Sequence, residues 1–128
     1  MPGAVAMTID LTSEDQIKAF VVKVAARFGR IDILHNNAAI QSDSQRQRDL
    51  DGVNLDTAAW DMAMAVNVRG AMLMCKYVIP HMIAGGGGSI IHSASGFGVE
   101  GEATLTAYAP YFKQRDPCRR RRCHRGRP

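Results

Sequence analysis

The sequence is poor in cysteine and has no recognisable secretory leader. Its 128 residues contain three cysteines, Cys75, Cys118 and Cys123. So small and odd a set does not suit a disulfide framework. The N-terminal segment MPGAVAMTID has neither a basic stretch nor a long apolar one, which a signal peptide would need. We therefore expect a reducing, cytoplasmic setting.

Long apolar runs are also missing. The longest, residues 71–84, is interrupted by Lys76, Pro80 and His81. It is also shorter than the roughly 20 residues that cross a bilayer. The sequence therefore predicts neither a membrane span nor a membrane partner.

The composition is that of one folded domain with a basic end. Apolar residues make up 46% of the chain, enough to build a core. Residues 113–128 hold eight of the 16 basic residues and one of the 12 acidic ones, and they lack periodic apolar positions. We expect residues 1–112 to form an incomplete domain and residues 113–128 to be a disordered basic tail. Loss of the reading frame near Tyr111 would explain this change of composition.

The basic tail permits two further interpretations. Arg119 to Arg122 could bind the phosphates of a nucleic acid. The tail has no aromatic side chains or folded domain to contact the bases, so such binding would not depend on the nucleotide sequence. Cys118, Cys123 and His124 could bind a metal, but three ligands fall short of a closed zinc site. We expect neither nucleic acid nor metal to be a partner.

The first third of the chain has alternating strand and helix patterns. Residues 4–9 form a short apolar run that is typical of a buried strand. Ser13 and Gln16 then have capping-box spacing, and apolar residues recur at helical spacing until Gly29. Residues 31–37 are apolar at first and then polar, which predicts a second strand.

The following residues repeat this order. Residues 41–54 are polar and predict an exposed loop or loose helix rather than core. A long helical pattern runs from Asp56 to about Met82, ahead of four glycines, and residues 89–93 predict a third strand. Strands and helices that alternate in this way are typical of an α/β fold with a parallel sheet and right-handed crossovers.

Several short motifs stand at the ends of these predicted strands. They are Asp10-Leu11 after the first strand, GRIDILHNNAAI through the second, AVNVRG in the long helix, GGGSIIHSAS on the third strand, and Tyr108. Ser95 and Tyr108 are 13 residues apart. In order and spacing, the region from Ala4 to Tyr108 resembles the short-chain dehydrogenase/reductase family. The resemblance implies strands 3, 4 and 5 of a partial Rossmann-like, doubly wound sheet.

The resemblance also assigns roles to individual residues. It implies a cofactor, NAD or NADP, whose adenine amino group meets Asp10 beside Leu11 and which is lined by Asn37, Ala38 and Ala39. It further implies a small alcohol or ketone substrate and the catalytic residues Asn67, Ser95 and Tyr108. Such sites lie beyond the carboxyl ends of parallel strands.

The implied chemistry is proton transfer coupled to hydride transfer. Tyr108 would give or take the proton, but a free tyrosine has a pKa near ~10, so its anion needs stabilisation. Ser95 would polarise the substrate oxygen, and Asn67 would hold a water that relays protons.

The chain departs from the family pattern at several positions. The family usually has lysine four residues after the tyrosine, where this chain has Phe112, and Lys113 lies one position later, about 100° away around a helix. The glycine-rich turn TGxxxGxG that seats the pyrophosphate is not in the sequence. Ala39 and His92 stand where glycine and asparagine are usual.

Two hypotheses remain open. The chain is either an oxidoreductase piece derived from an NAD(P)-dependent enzyme, or a non-catalytic remnant that is unstable or packs on an intact homologue. By the resemblance, the long helix bearing Asn67 would provide the contact between subunits. In either case the predicted first strand, residues 4–9, lacks the two strands that would join it to the rest of the sheet. It must therefore pair directly with another strand of this chain, remain unpaired or pair with another chain.

Overall fold

The computed structural model describes residues 3–96 and 106–107. In chain order its elements are α1 (Glu14–Phe28), β1 (Ile33–Asn36), α2 (Asp43–Arg46), α3 (Thr57–Ala63), a π-helical segment (Met64–Gly70), α4 (Ala71–Ala84) and β2 (Ser89–His92). The three helical segments from residue 57 to residue 84 follow one another without a break. The structure is therefore a partial α/β fold.

Helix α1 begins and ends at the residues that the sequence predicts. The Ser13 hydroxyl accepts the backbone N–H of Gln16 at 3.4 Å. The Gln16 side chain accepts the N–H of Asp10 at 3.1 Å, three residues before Ser13. Gly29 ends the helix with a φ of 77°, in the left-handed region that glycine adopts without strain.

Helix α3, the π-helical segment and α4 together form one long helix, residues 57–84, which we call the rod. It is capped by Asp56, whose carboxylate accepts the N–H of Ala58 at 2.9 Å. Residues 57–84 are long and apolar enough to cross a membrane by length and composition alone, but the core helix of a soluble protein passes the same test. The rod packs against α1 and β1. It ends at Gly85, ahead of the positive φ angles of Gly86 and Gly87.

The two strands form a parallel pair in which Leu34 lies opposite Ile90 and Asn36 opposite His92. One face of this pair is covered, because Leu34 packs with Val21 of α1 and with Val78 and Met82 of α4. On the other face, Ile33 and Ile91 are 65% and 47% exposed, and no helix among the described residues packs there. The parallel order agrees with the predicted parallel sheet, because β1 and β2 are joined by a connection that contains the helices of residues 57–84.

The strand predicted over residues 4–9 is wrong. These residues have no strand structure, and most of them are exposed. A strand needs a neighbour for its N–H and C=O groups, and the described part of the chain offers none within reach. Within the part of the chain that the structure describes, the sheet therefore contains two of the three expected strands.

The expectation that residues 41–54 stay outside the core is also wrong in part. Gln45 and Asp49 are 7% and 3% exposed. Gln45 donates from Nε2 to the carbonyl of Ala59 at 2.6 Å, which ties the loop to α3. Both buried polar side chains bind backbone groups, and a polar sequence pattern does not reveal this. The proposed tail, residues 113–128, lies outside the described residues.

Candidate functional site

The turn before α1 presents a carboxylate. One oxygen of Asp10 accepts both the N–H and the hydroxyl of Thr12, each at 2.8 Å. These two bonds lower the pKa of Asp10 from its ordinary value, because they favour the charged form. The side chain is exposed, so an ionised oxygen is presented to solvent.

Leu11 lies directly against the long helical rod. A Cβ atom placed on Gly70 would come within 2.9 Å of the Leu11 Cβ and 3.0 Å of its carbonyl oxygen. Glycine is therefore required at position 70 if the turn is to approach this closely. Sequence reasoning missed Gly70, although a glycine inside an apolar helical pattern is a signal of close packing.

Glu14 fixes the start of α1 on the same rod. Its carboxylate accepts from Lys76 Nζ and from the Tyr77 hydroxyl, both at 2.8 Å. Arg69 donates to the Thr12 carbonyl at 3.2 Å and lies 3.4 Å from the Glu14 carboxylate. The Asp10-Leu11 turn and the start of α1 are thus held on the rod by the packing of Leu11 on Gly70 and by this polar cluster.

Asn67 is bound to the loop that follows β1. It lies in the π-helical segment and is 6% exposed, and its Oδ1 accepts the backbone N–H of Ile40 at 2.9 Å. At the start of the loop, Asn36 donates to the carbonyl of Ala71 at 3.3 Å. Short π segments inside helices are common at functional sites. Here the segment carries a residue that the sequence singled out.

The predicted cofactor residues Asn37, Ala38 and Ala39 lie between those two anchors, and all three are exposed. Asn67 and Gly70 are three residues apart, which is about one helical turn. The rod therefore brings the Asp10-Leu11 turn and the 37–40 loop onto neighbouring positions. The sequence motifs converge at the carboxyl edge of β1.

The end of β2 meets the same edge. The N–H of Ser93 donates to the carbonyl of Asn36 at 3.0 Å, and the Ser93 hydroxyl lies 2.9 Å from His35 Nε2 across the two strands. Ser95, half-buried, follows two residues later. Its position just past β2 is the one the sequence predicted.

Tyr108 lies outside the described residues, but Ala107 does not. Ala107 is fully buried, and its N–H donates to the Asp49 carboxylate. The preceding residue, Thr106, donates its N–H to the carbonyl of Leu50 at 3.3 Å. The loop after β1 therefore holds the residues that lead directly into Tyr108. Sequence reasoning missed Asp49, because nothing in a polar loop marks which carboxylate becomes buried.

Cysteine and histidine meet at one further place. Cys75 Sγ lies 3.8 Å from His92 Nε2, and Asn36 Nδ2 lies 3.5 Å from both the sulfur and His92 Nδ1. No group of three metal-ligating side chains occurs within residues 3–96 and 106–107. The other candidate ligands, Cys118, Cys123 and His124, lie outside the described part of the chain.

Comparison with known proteins identifies the family. The profile of the family described as short chain dehydrogenase matches residues 2–110. The chain is 36% identical over 110 residues to the 3-oxoacyl-[acyl-carrier-protein] reductase of Thermotoga maritima, covering 85% of this chain and 42% of that protein. It is 40% identical over 109 residues to the galactitol 2-dehydrogenase of Agrobacterium fabrum, covering 84% and 40%.

A solved structure gives the same result. NAD+-bound xylitol dehydrogenase superposes with a TM-score of 0.72 at 31% identity, over 83% of this chain and 39% of that one. The chain thus spans about two fifths of the length of these relatives. Sequence motifs, the parallel strand pair and both kinds of comparison agree, and the chain belongs to the short-chain dehydrogenase family.

Proposed function

We propose that this chain carries part of the active site of an NAD(P)-dependent oxidoreductase that interconverts a small alcohol and a ketone. The observation that supports this most directly is the convergence on the long rod. Leu11 packs on Gly70, and Ile40 is bound by Asn67. Two separate segments thereby reach the carboxyl edge of a parallel sheet, where ligands of such sheets bind.

The residues present suit a nicotinamide dinucleotide. Asp10 offers an exposed, ionised carboxylate with hydrogen-bonding capacity for an exocyclic amino group. Asn37, Ala38 and Ala39 are exposed, and the two alanines leave space for a sugar. When bound, the cofactor would supply or accept the hydride. The choice between NAD and NADP is open, and the chain contains no glycine-rich turn for the pyrophosphate.

The protein's own contribution would be proton transfer and orientation. Tyr108 would exchange a proton with the substrate oxygen, and Ser95 would donate a hydrogen bond to that oxygen. The side-chain oxygen of Asn67 already accepts from Ile40. Asn67 would therefore serve the site by fixing the 37–40 loop, in addition to any water that it holds.

A second candidate function rests on the surface of the rod. Val68, Met72, Ile79 and Ile83 are exposed on it and recur at spacings of four and seven residues, which places them along one side of a helix. A cytoplasmic, non-catalytic chain could bury this side against another copy or an intact homologue. Concentration-dependent co-assembly with a full-length relative, weakened by Met72→Lys, would favour this candidate.

The experiment for the first candidate is a titration of Trp60 fluorescence with NADH and with NADPH, followed by energy transfer to the nicotinamide. We expect a saturable signal, weakened by Asp10→Ala and unchanged by Asp15→Ala, which alters an exposed residue at the start of α1. A chain that is folded by circular dichroism but gives no saturable signal with either cofactor would contradict the proposal. A cofactor-dependent signal would justify assays with polyols and ketones.

A further inference from the structure

The turn before α1 uses all but one of the polar atoms of Asp10. The N–H of Asp10 donates to the side-chain oxygen of Gln16 at 3.1 Å, and its carbonyl accepts the N–H of Ser13 at 3.2 Å. One carboxylate oxygen, Oδ1, accepts from Thr12. The other, Oδ2, accepts no hydrogen bond from any residue that the structure describes. Because the side chain is exposed, Oδ2 is the acceptor that Asp10 offers to a ligand.

Thr12 determines which of the two oxygens is offered. Its backbone N–H and its hydroxyl both lie 2.8 Å from Oδ1. The terminal torsion of an aspartate is broad and roughly two-fold, so without these bonds the two oxygens could exchange places. Hydrogen bonds to an ionised acceptor are about twice as strong as neutral ones, and two of them on one oxygen oppose that rotation. The same bonds lower the pKa of Asp10, so the oriented group is the charged one.

Thr12 is itself fixed to the rod. Its carbonyl accepts from Arg69 Nη1 at 3.2 Å. The next residue of the rod, Gly70, lies against Leu11. Two consecutive residues after Asp10 are thus held by two consecutive residues of the rod. The direction of the Asp10 carboxylate is therefore set relative to the rod and not only within the turn.

We propose that Thr12 is a positioning residue for Asp10, holding Oδ1 so that Oδ2 is presented to the amino group of a ligand. The proposal rests on the proposed function for the identity of the ligand, in which this group is the exocyclic amino group of adenine. An amino group donates hydrogen bonds and so matches a carboxylate oxygen that has no other donor. Holding the carboxylate before the ligand arrives reduces the ordering that binding requires. The hold of Thr12 on the carboxylate can be tested without any ligand.

The first test measures the pKa of Asp10 by carbon-13 NMR of its carboxyl group, whose signal is assigned by its loss in Asp10→Asn. Thr12→Val keeps the shape and the backbone N–H but loses the hydroxyl, so we expect the pKa of Asp10 to rise toward its ordinary value. Thr12→Ser keeps the hydroxyl and should leave the pKa low. Thr12→Ala serves if the valine variant does not fold. Thr8→Val is the matched control, because Thr8 is exposed and makes no hydrogen bond within the described part of the chain.

The second test asks whether the hold contributes to recognition. The Trp60 titration compares NADH with reduced nicotinamide hypoxanthine dinucleotide, in which a carbonyl oxygen replaces the amino group of adenine. The unaltered chain should prefer NADH, because Oδ2 accepts from an amino group but repels a carbonyl oxygen. In Thr12→Val we expect NADH to bind about three- to tenfold more weakly and the affinity for the analogue to change by less than about twofold. Thr12→Ser and Thr8→Val should keep the preference.

Several results would overturn the proposal. An unchanged pKa of Asp10 in a folded Thr12→Val chain would show that the hydroxyl does not hold the carboxylate. Equal weakening of both dinucleotides would show that Thr12 stabilises the turn as a whole, and so would a further loss of NADH affinity when Thr12→Val is added to Asp10→Ala. An unaltered chain that binds neither dinucleotide would count against the proposed function, while the pKa measurement would still confirm or overturn the hold of Thr12 on Asp10.

Discussion

The side-chain oxygen of Asn67 lies 2.9 Å from the backbone nitrogen of Ile40, and this bond joins the long rod to the loop after β1. The family resemblance implies a catalytic role for Asn67, and the bond gives it a structural role at the same edge of the sheet. The loop it holds contains the residues assigned to the cofactor. Loss of this single acceptor should therefore affect both stability and cofactor binding.

Replacing Asn67 by alanine tests that bond. The Ile40 N–H would lose its partner in a partly buried position, and we expect the free energy of unfolding to fall by about 1–3 kcal/mol. Urea unfolding followed by Trp60 fluorescence measures the change. The matched control is Asn37→Ala at an exposed position of the same loop, where a change within about 0.5 kcal/mol is expected. Equal losses in both variants would mean that the bond does not hold the loop.

Replacing Gly70 by alanine tests the approach of Leu11. In an exposed helix this change would stabilise by about 1 kcal/mol, because alanine is the better helix former. Here the added methyl group would lie 2.9 Å from the Leu11 Cβ, so we expect a net loss of stability and weaker cofactor binding. Gly52→Ala, where the new atom has no neighbour within 4 Å, should change the unfolding midpoint little. A gain at Gly70 would show that the turn can move away without cost.

Much of this fold can be predicted from the sequence pattern, because the pattern reflects local interactions such as helix capping and the burial of one apolar side. Ser13 and Gly29 cap α1 where predicted, and the apolar side of the rod packs on the strands. The strand at residues 4–9 failed for a non-local reason. Apolar residues favour an extended backbone, but a strand forms only when a neighbouring strand accepts its backbone hydrogen bonds. The described residues contain no such neighbour for residues 4–9.

The positions of some candidate site residues in the chain's elements could also be predicted. Asp10 lies in the turn before α1, Asn67 on the rod and Ser95 just past β2, and each belongs to a short motif that can be recognised in the sequence. Asp49 and Gly70 were not identified, because their importance comes from partners 58 and 59 residues away in the chain. Burial that depends on a residue so distant in the chain produces no periodic pattern in the sequence, so it cannot be predicted from one.

Two substitutions at Asp56 separate its two interactions. The carboxylate caps the rod by accepting from Ala58 at 2.9 Å and pairs with Arg48 at 2.8 Å. Asparagine would keep the cap and remove the charge, and an exposed ion pair contributes only about 0–1 kcal/mol. Alanine would remove both, and loss of a cap costs about 1 kcal/mol. We expect Asp56→Ala to lower the urea midpoint clearly more than Asp56→Asn; the reverse order would make the ion pair the dominant interaction.

The pH dependence of stability should contain a contribution from Glu14. The hydrogen bonds that Lys76 and Tyr77 donate lower the pKa of its carboxyl from the ordinary value. A depressed pKa in the folded state stabilises the protein above the unfolded pKa of about 4.3, and this contribution is lost as the pH falls through the folded pKa. The difference in unfolding free energy between the unaltered chain and Glu14→Gln should therefore be constant near neutral pH and shrink below about pH 4.5.

The Glu14 difference is measured by urea unfolding at a series of pH values. Asp10, Asp51 and Asp56 also have lowered pKa values, but they titrate in both proteins and cancel in the difference. Asp15→Asn, at the exposed neighbouring residue, is the matched control. Because Glu14 holds the start of α1 on Lys76 and Tyr77, the same acid range should also loosen the Asp10-Leu11 turn. A difference between the unaltered chain and Glu14→Gln that stays constant down to pH 3 would show that these contacts contribute nothing to folding.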